Sequence, residues 1–437
     1  MASPQPEPAK KAPMYYGWYI VATCVFIAFL TNGARNAFGI FVLPLEHDFG
    51  WNRGAISVAA SLGFLVNGLA QPFLGRIFDR MGGRKVILSS LILFGIATAL
   101  LSLTFHYLFL VFMFGLVSAA AMSGSSLTNT GALLTRWFRR KRATVVGLNA
   151  SGMSFGGLLL VPFAMYLLQA TNWRVTWAAL GLMVLVLGVP LAWLLLRDDP
   201  AQLGLQPDGD SDPATAAGKS GGRRQDGPYA VDKWRDSFKS PPIWHLSAAY
   251  FVCGATTGVL NVHFVPYAVD RGVSPATAAN IFGFMMGLNV VGSIAAGFFS
   301  DKFSRKNLLA LVYAMRGIAY LLLLLIPSTG GLWVFAALAG FSWIATAPLT
   351  TSLTADVYGL KALGTISGVS FLFHALGSFG SILLAGFLFD LTGSYTIPFA
   401  VAGALLAPAA LAAFTIKERR YSVRYQPRAA AAEAAGD

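Results

Sequence analysis

The sequence predicts an all-α membrane protein, with twelve transmembrane helices arranged as two pseudo-symmetric six-helix bundles. Three observations carry that reading. Of the 437 residues 56% are hydrophobic and 12% charged, against about 45–50% and about 25% in an ordinary soluble domain. Twelve apolar stretches reach the roughly 20 residues needed to cross a hydrocarbon layer about 30 Å thick. The second half of the chain also echoes the first at a constant offset.

The stretches run over 16–44, 54–75, 85–105, 107–135, 143–169 and 174–196, and then over 243–268, 275–299, 307–326, 332–356, 362–389 and 395–416. The first follows a polar start holding Lys10 and Lys11. It is too long for a signal peptide and has no small-residue cleavage site behind it, so it is expected to stay in the mature protein. Between the sixth and seventh stretches Asp, Gly, Pro, Ser and basic residues crowd together, which reads as a linker. The expected organisation is a bundle over 1–197, a cytoplasmic linker over 198–241, a second bundle over 242–420 and a cytoplasmic tail over 421–437.

The net charge of +13 is a topology signal rather than a nucleic-acid surface. Counted on alternate sides of the spans, 27 of the 32 Lys and Arg fall on the side of the termini, and only Arg53, Arg174 and Arg271 on the other. Positive loops stay inside, so the chain is expected to be a multi-pass protein of the cytoplasmic (inner) membrane with both termini cytoplasmic. Its surroundings are the lipid bilayer, and no nucleic-acid partner is expected.

The repeat is ungapped. At an offset of 222, Pro44 meets Pro266, Asp48 meets Asp270, Gly50 meets Gly272, Asn67 meets Asn289, Gly75 meets Gly297, Asp79 meets Asp301 and Arg80 meets Lys302. Two like bundles can rock about a site near the bilayer midplane and open it to one side at a time. Enzyme readings are poor by comparison. Cys24 and Cys253 both lie in apolar runs, no His/Cys/Asp cluster has metal-ligand spacing, and no Walker-type phosphate cradle is present. No cofactor and no metal are expected, and energy should come from gradients rather than ATP.

Between the second and third spans stands Gly75-Arg76-Ile77-Phe78-Asp79-Arg80-Met81-Gly82-Gly83-Arg84-Lys85, echoed by Gly297, Asp301, Lys302, Arg305 and Lys306. This loop resembles the signature of the major facilitator superfamily, which implies that fold. Other motifs are Tyr16-Gly17-Trp18, Trp137-Phe138-Arg139-Arg140-Lys141-Arg142 with Gly147, Gly152 and Gly156, and Arg197-Asp198-Asp199-Pro200 through Gly204 to Pro207-Asp208-Gly209. Together they resemble the monocarboxylate transporter and oxalate:formate antiporter branch. The resemblance implies secondary transport of a small organic anion, with Gly75, Asp79, Arg80, Arg84, Asp301 and Arg305 as a cytoplasmic gate. The chain departs from the branch at Ser293, where members tend to carry an Arg, and at Asn289, where some carry an acid.

Arg35, in Thr31-Asn32-Gly33-Ala34-Arg35-Asn36, stands in for that missing cation. Residues 32, 35, 36 and 39 share one helical face. A guanidinium at mid-depth costs several kcal/mol and cannot shed its charge. No Asp or Glu lies at mid-depth in any of the twelve spans, so a bound carboxylate is its natural partner. The alternative is a structural contact with helix carbonyls or an acid at a span end. Arg316 is the other mid-depth cation, read as structural packing or snorkelling, with Tyr267 as a possible companion near the outer end of the seventh span. His263 and His374 can change charge near neutral pH and are the candidates for a coupling proton. By its place relative to the antiporter's second cation, His374 also qualifies as a substrate ligand. Asn129, Asn149 and Asn289 are the polar side chains expected to line the site with Asn32 and Asn36.

The expected activity is proton symport of a monocarboxylate by a monomer. Anion exchange, export of neutral hydrophobic compounds and a non-transporting sensor remain alternatives.

Overall fold

The computed structural model describes residues 14–138, 141–209, 229–326, 328–359, 363–422 and 425, with only the backbone of Arg142, Ala143, Asp301 and Gly364. Within them are twelve helices long and apolar enough to cross a membrane. They are α1 (Gly17–Phe49), α2 (Arg53–Met81), α3 (Gly83–Leu103), α4 (Tyr107–Trp137), α5 (Thr144–Ala170) and α6 (Trp173–Leu195), followed by α7 (Pro241–Asp270), α8 (Pro275–Ser300), α9 (Arg305–Leu325), α10 (Thr329–Tyr358), α11 (Thr365–Thr392) and α12 (Thr396–Thr415). Several run past their apolar stretch. The second continues through Arg76, Asp79 and Arg80 to Met81 because polar side chains sustain a helix once it leaves hydrocarbon. It stops at Gly82, whose φ of +91° no other residue adopts cheaply. A Cβ there would also come within 2.8 Å of Asp198 Oδ2.

The sequence repeat is visible as repeated local structure. Gly50 and Gly272 both hold positive φ just past α1 and α7, Gly50 as the cap itself and Gly272 one residue after the cap Arg271. Both α4 and α10 break at mid-depth, near Ser125 and at 343–345. At each break the repeated asparagine intervenes: Asn67 donates to Ser123 Oγ at 2.8 Å, and Asn289 Oδ1 accepts from the Ile344 N–H at 2.8 Å. On the side bearing the termini, Asp198 accepts from the Arg84 N–H at the start of α3 (2.7 Å). Glu418 does the same for Arg305 and Lys306 at the start of α9 (3.2 and 3.1 Å). Each bundle therefore ends in an acid that returns to cap its third helix.

The bundles meet along α2 against α11, α5 against α8 and α1 against α7. Small residues allow the approach, as membrane helices require when lipid gives no hydrophobic drive. A Cβ at Gly68 would meet Ala375 at 2.6 Å, and one at Gly283 would meet Leu158 O at 2.9 Å. Among the described residues, the hydrogen bonds and ion pairs that join the bundles all lie between mid-depth and the side opposite the termini, here termed the far side.

Candidate functional site

Arg35 projects from α1 towards α2 and α4. Its Cζ lies 4.1 Å over the Phe64 ring, and Nη1 lies 3.5 Å from Met122 Sδ. Ion pairs among the described residues involve Arg53, Lys239, Arg305 and the exposed His47 with Asp48, and none reaches Arg35. A cation over an aromatic face gains about 0.5–2 kcal/mol, whereas an arginine at mid-membrane costs about 2.5–3.5 kcal/mol even by insertion scales. The side chain remains partly exposed, and its charge is only partly compensated.

Arg316 is the opposite case. It is fully buried. Nη1 lies 3.3 Å from both Cys253 Sγ and Thr256 Oγ1, and Nη2 donates to Trp343 O at 2.6 Å and to Ser342 O. Those carbonyls are the ones freed where α10 breaks, so Arg316 is spent on the protein itself. Tyr267 is likewise occupied, donating to Leu323 O at 2.7 Å and packing against Phe399.

The asparagines divide. Asn36 accepts from Asn261 Nδ2 at 3.0 Å, joining α1 to α7 across the bundles. Asn289 donates to Ser154 at 2.9 Å, joining α8 to α5. Asn32 bonds back to Ala28 O in its own helix. Asn129 donates to Ser123 O and Gly124 O at the break in α4, and Asn149 donates to Thr130 at 2.7 Å. His374, on α11, stacks on Phe371 and shares a hydrogen with Thr257 at 3.3 Å. Its buried Nδ1 has no partner among the described residues.

The signature-loop residues sit on the termini side, within or beside their own bundles. Asp79 and Arg80 are exposed. Arg84 binds Asp198 and donates to Trp193 O, and Arg305 pairs with buried Asp356 at 2.6 Å. A Cβ at Gly75 would meet nothing within 4 Å. The Asp301 side chain lies outside the described residues. The remaining motifs converge beside them: Trp137 Nε1 donates to Arg197 O, Tyr15 to Trp137 O and Tyr16 to Leu195 O.

Sequence reasoning missed the cluster that closes the far side. Arg53, at the start of α2, donates from Nη1 and Nη2 to both oxygens of Asp270 on α7 (2.5 and 2.9 Å) and from Nε to Glu46 on α1 (3.0 Å). Asp390 on α11 accepts from the Arg53 and Gly54 N–H groups at 3.0 and 2.7 Å. The guanidinium also lies 3.9 Å over Phe389 and donates to Tyr395 Oη at 3.3 Å. Burial pushes the Tyr395 phenol up, keeping its O–H as a donor. Beneath this, His263 is fully buried, bonded through Nδ1 to Tyr395 (3.1 Å) and through Nε2 to Ile382 O (3.0 Å). The signal for the cluster was present: Arg53 is one of only three basic residues on that side, and Asp270 belongs to the repeat. Its repeat mate Asp48 instead accepts from Trp173 at 2.6 Å inside the first bundle, which explains why the repeat did not reveal the role.

Comparison with known proteins agrees with this architecture. The Major Facilitator Superfamily model matches residues 22–382. The chain is 26% identical over 395 residues to the uncharacterized MFS-type transporter YcxA of Bacillus subtilis (strain 168), covering 88% of this chain and 91% of that one. It is 27% identical over 419 residues to monocarboxylate transporter 12 of Rattus norvegicus, covering 89% and 82%. Among solved structures, a bacterial homologue of the human lysosomal transporter Spinster, inward-facing and unoccupied, superposes with a TM-score of 0.71 at 17% identity, covering 95% of this chain and all of that one. A D-xylose–proton symporter gives 0.71 at 14%, with the same coverage. The chain belongs to the major facilitator superfamily.

Proposed function

We propose that this protein carries a monocarboxylate across the cytoplasmic membrane, with both termini inside, by proton symport under alternating access. The observation that carries the reading is Arg35: a mid-depth guanidinium, partly exposed, with an aromatic ring and a thioether for neighbours and no carboxylate among the described residues to balance it. A cargo carboxylate completes the pair through charge-assisted, bidentate hydrogen bonds. Because Arg316 is already committed to Ser342 O and Trp343 O, one open cation remains at mid-depth among the described residues, which favours a single carboxylate over a dicarboxylate. Phe64 and Met122 beside it suit an apolar tail. The likeness to monocarboxylate transporters 12 and 13 supports the same cargo class. Asn36 and the Nδ1 of His374, unpartnered among the described residues, are the further groups assigned to cargo and proton, with His263 as the second proton site. Asp79, Arg80, Arg84, Asp301 and Arg305 are assigned to closure of the cytoplasmic side.

The test is uptake of a labelled carboxylate panel into proteoliposomes with an internal pH dye. Wild type is expected to acidify the lumen as substrate enters. Arg35→Ala is expected to lose about 30–150-fold in kcat/KM, the equivalent of about 2–3 kcal/mol for a lost charged pair. Arg35→Lys keeps the charge without the fork and should fall between them. Undiminished uptake by Arg35→Ala removes the carboxylate assignment.

A further inference from the structure

We propose that His263 is a pH-sensing latch pin: neutral, it holds the far side shut, and a proton on its ring releases that side. The hydrogen bonds allow one arrangement of its protons. Ile382 O only accepts, so Nε2 carries the hydrogen directed to it at 3.0 Å. In a neutral ring Nδ1 is then an acceptor, and the Tyr395 phenol donates to it over 3.1 Å. The phenol oxygen accepts in turn from Arg53 Nη1 at 3.3 Å. The chain Arg53 to Tyr395 to His263 to Ile382 gives every donor an acceptor, and it ties α2 of one bundle to α7, α11 and the turn before α12 of the other.

A proton on Nδ1 converts the acceptor into a donor. The phenol oxygen then faces two donors, Arg53 and His263, while its own O–H has lost its partner. A second positive charge also arrives one side chain away from the Arg53 guanidinium, in buried surroundings where like charges repel strongly. The groups facing the ring are Ser57 and, beyond the phenol, Arg53 from α2, Ile382 O from α11, and Tyr395. The nearby carboxylates are already engaged with Arg53: Glu46 and Asp270 with its side chain, and Asp390 with its backbone N–H. Tyr267 of α7 is bonded to Leu323 O. Relief comes from moving Arg53 and Tyr395 apart, which is the opening of the far side. The device deepens the proton-coupled reading but does not depend on the cargo, so it is testable with no substrate present.

Nitroxide labels at Gln169→Cys and Leu391→Cys, both exposed at far-side helix ends and outside the latch, report the separation of the bundles by pulsed electron spin resonance. The two native thiols are buried. Between pH 8 and pH 5 the ratio of long to short distances in wild type is expected to rise at least about fivefold, the worth of one hydrogen bond. His263→Gln donates to Ile382 O and accepts from Tyr395 at any pH, so it should keep the pH 8 distribution at pH 5. Tyr395→Phe has no phenol bond to lose and keeps only the repulsion between the charged ring and Arg53, so its pH response should be clearly smaller than in wild type, with more of the open form at both pH values. A wild type that does not move, or a full pH response surviving in either variant, overturns the proposal. Loss of the carboxylate reading would appear instead in Arg35→Ala uptake and leaves these distances untouched.

Discussion

Arg35 and Arg316 are the same side chain at similar depth in opposite circumstances, and the difference lies in their neighbours. Arg316 finds the carbonyls of Ser342 and Trp343, so removing it strands two acceptors in a buried place. Arg35 finds a ring and a sulfur, so removing it strands nothing. Arg316→Leu is therefore expected to lower stability by about 2–6 kcal/mol, since a buried acceptor left unmade costs about 1–3 kcal/mol each. Arg35→Leu should leave stability unchanged or slightly raised, because a poorly compensated charge is deleted. Unfolding midpoints of the purified variants in detergent check this: equal losses for the two arginines would show that Arg35 also has a structural debt. The sequence showed two cations at mid-depth and no acid to meet them. It ranked Arg316 as structural but did not show what meets its charge, because the acceptors of Arg316 are backbone atoms released by a break in α10 that no apolar pattern marks.

At the scale of elements, the apolar stretches located all twelve spans, while their polar ends and internal breaks came from features that hydropathy ignores. The repeat of Asn67 at Asn289 was legible as a repeat, yet its meaning required seeing that both asparagines sit at the breaks in α4 and α10. The pairing of Asp198 with α3 and Glu418 with α9 was hidden for a different reason. These acids lie just beyond the sixth and twelfth spans, far along the chain from the helix starts they cap, and Glu418 stands in a stretch that carries no motif. Glu418 is buried and receives the Ser304 hydroxyl at 2.5 Å besides two N–H groups. Glu418→Gln keeps the shape and removes the charge that complements the helix terminus. It should cost about 1–2 kcal/mol, and Asp198→Asn about 1 kcal/mol because its site is less enclosed. Amide hydrogen exchange at the first turns of α9 and α3 reads this locally: each variant should speed exchange at its own helix start and leave the other unchanged.

The whole molecule is closed at one end. Cross-bundle bonds among the described residues cluster at Arg53 and continue inward through Ser57–His263, Asn36–Asn261 and Ser154–Asn289. On the termini side Arg84 and Arg305 bind partners within their own bundles. A sequence carries no conformational state, which is why the signature loop pointed to a gate on the termini side, whereas the closed gate in this state is one that no motif announces. Arg53 is almost fully buried, but Asp270 keeps about a third of its side-chain exposure, so the pair is worth less than a fully enclosed one, about 1–3 kcal/mol. Arg53→Gln should therefore shift the equilibrium towards far-side opening by roughly 5–150-fold. Arg53→Lys, with charge but no fork, should shift it less. The readout is a cysteine placed at Asn261, between the bundles, and probed with a membrane-impermeant thiol reagent added from the far side of sealed vesicles. Labelling is expected to be slow in the otherwise wild-type chain and faster by that factor with Arg53→Gln. Because Asp270→Asn breaks the same contact, the double variant should gain little over Arg53→Gln alone. Persistent protection of position 261 in Arg53→Gln would show that the glycine-lined packing of α2 on α11 and α5 on α8, rather than the charge cluster, keeps this end shut.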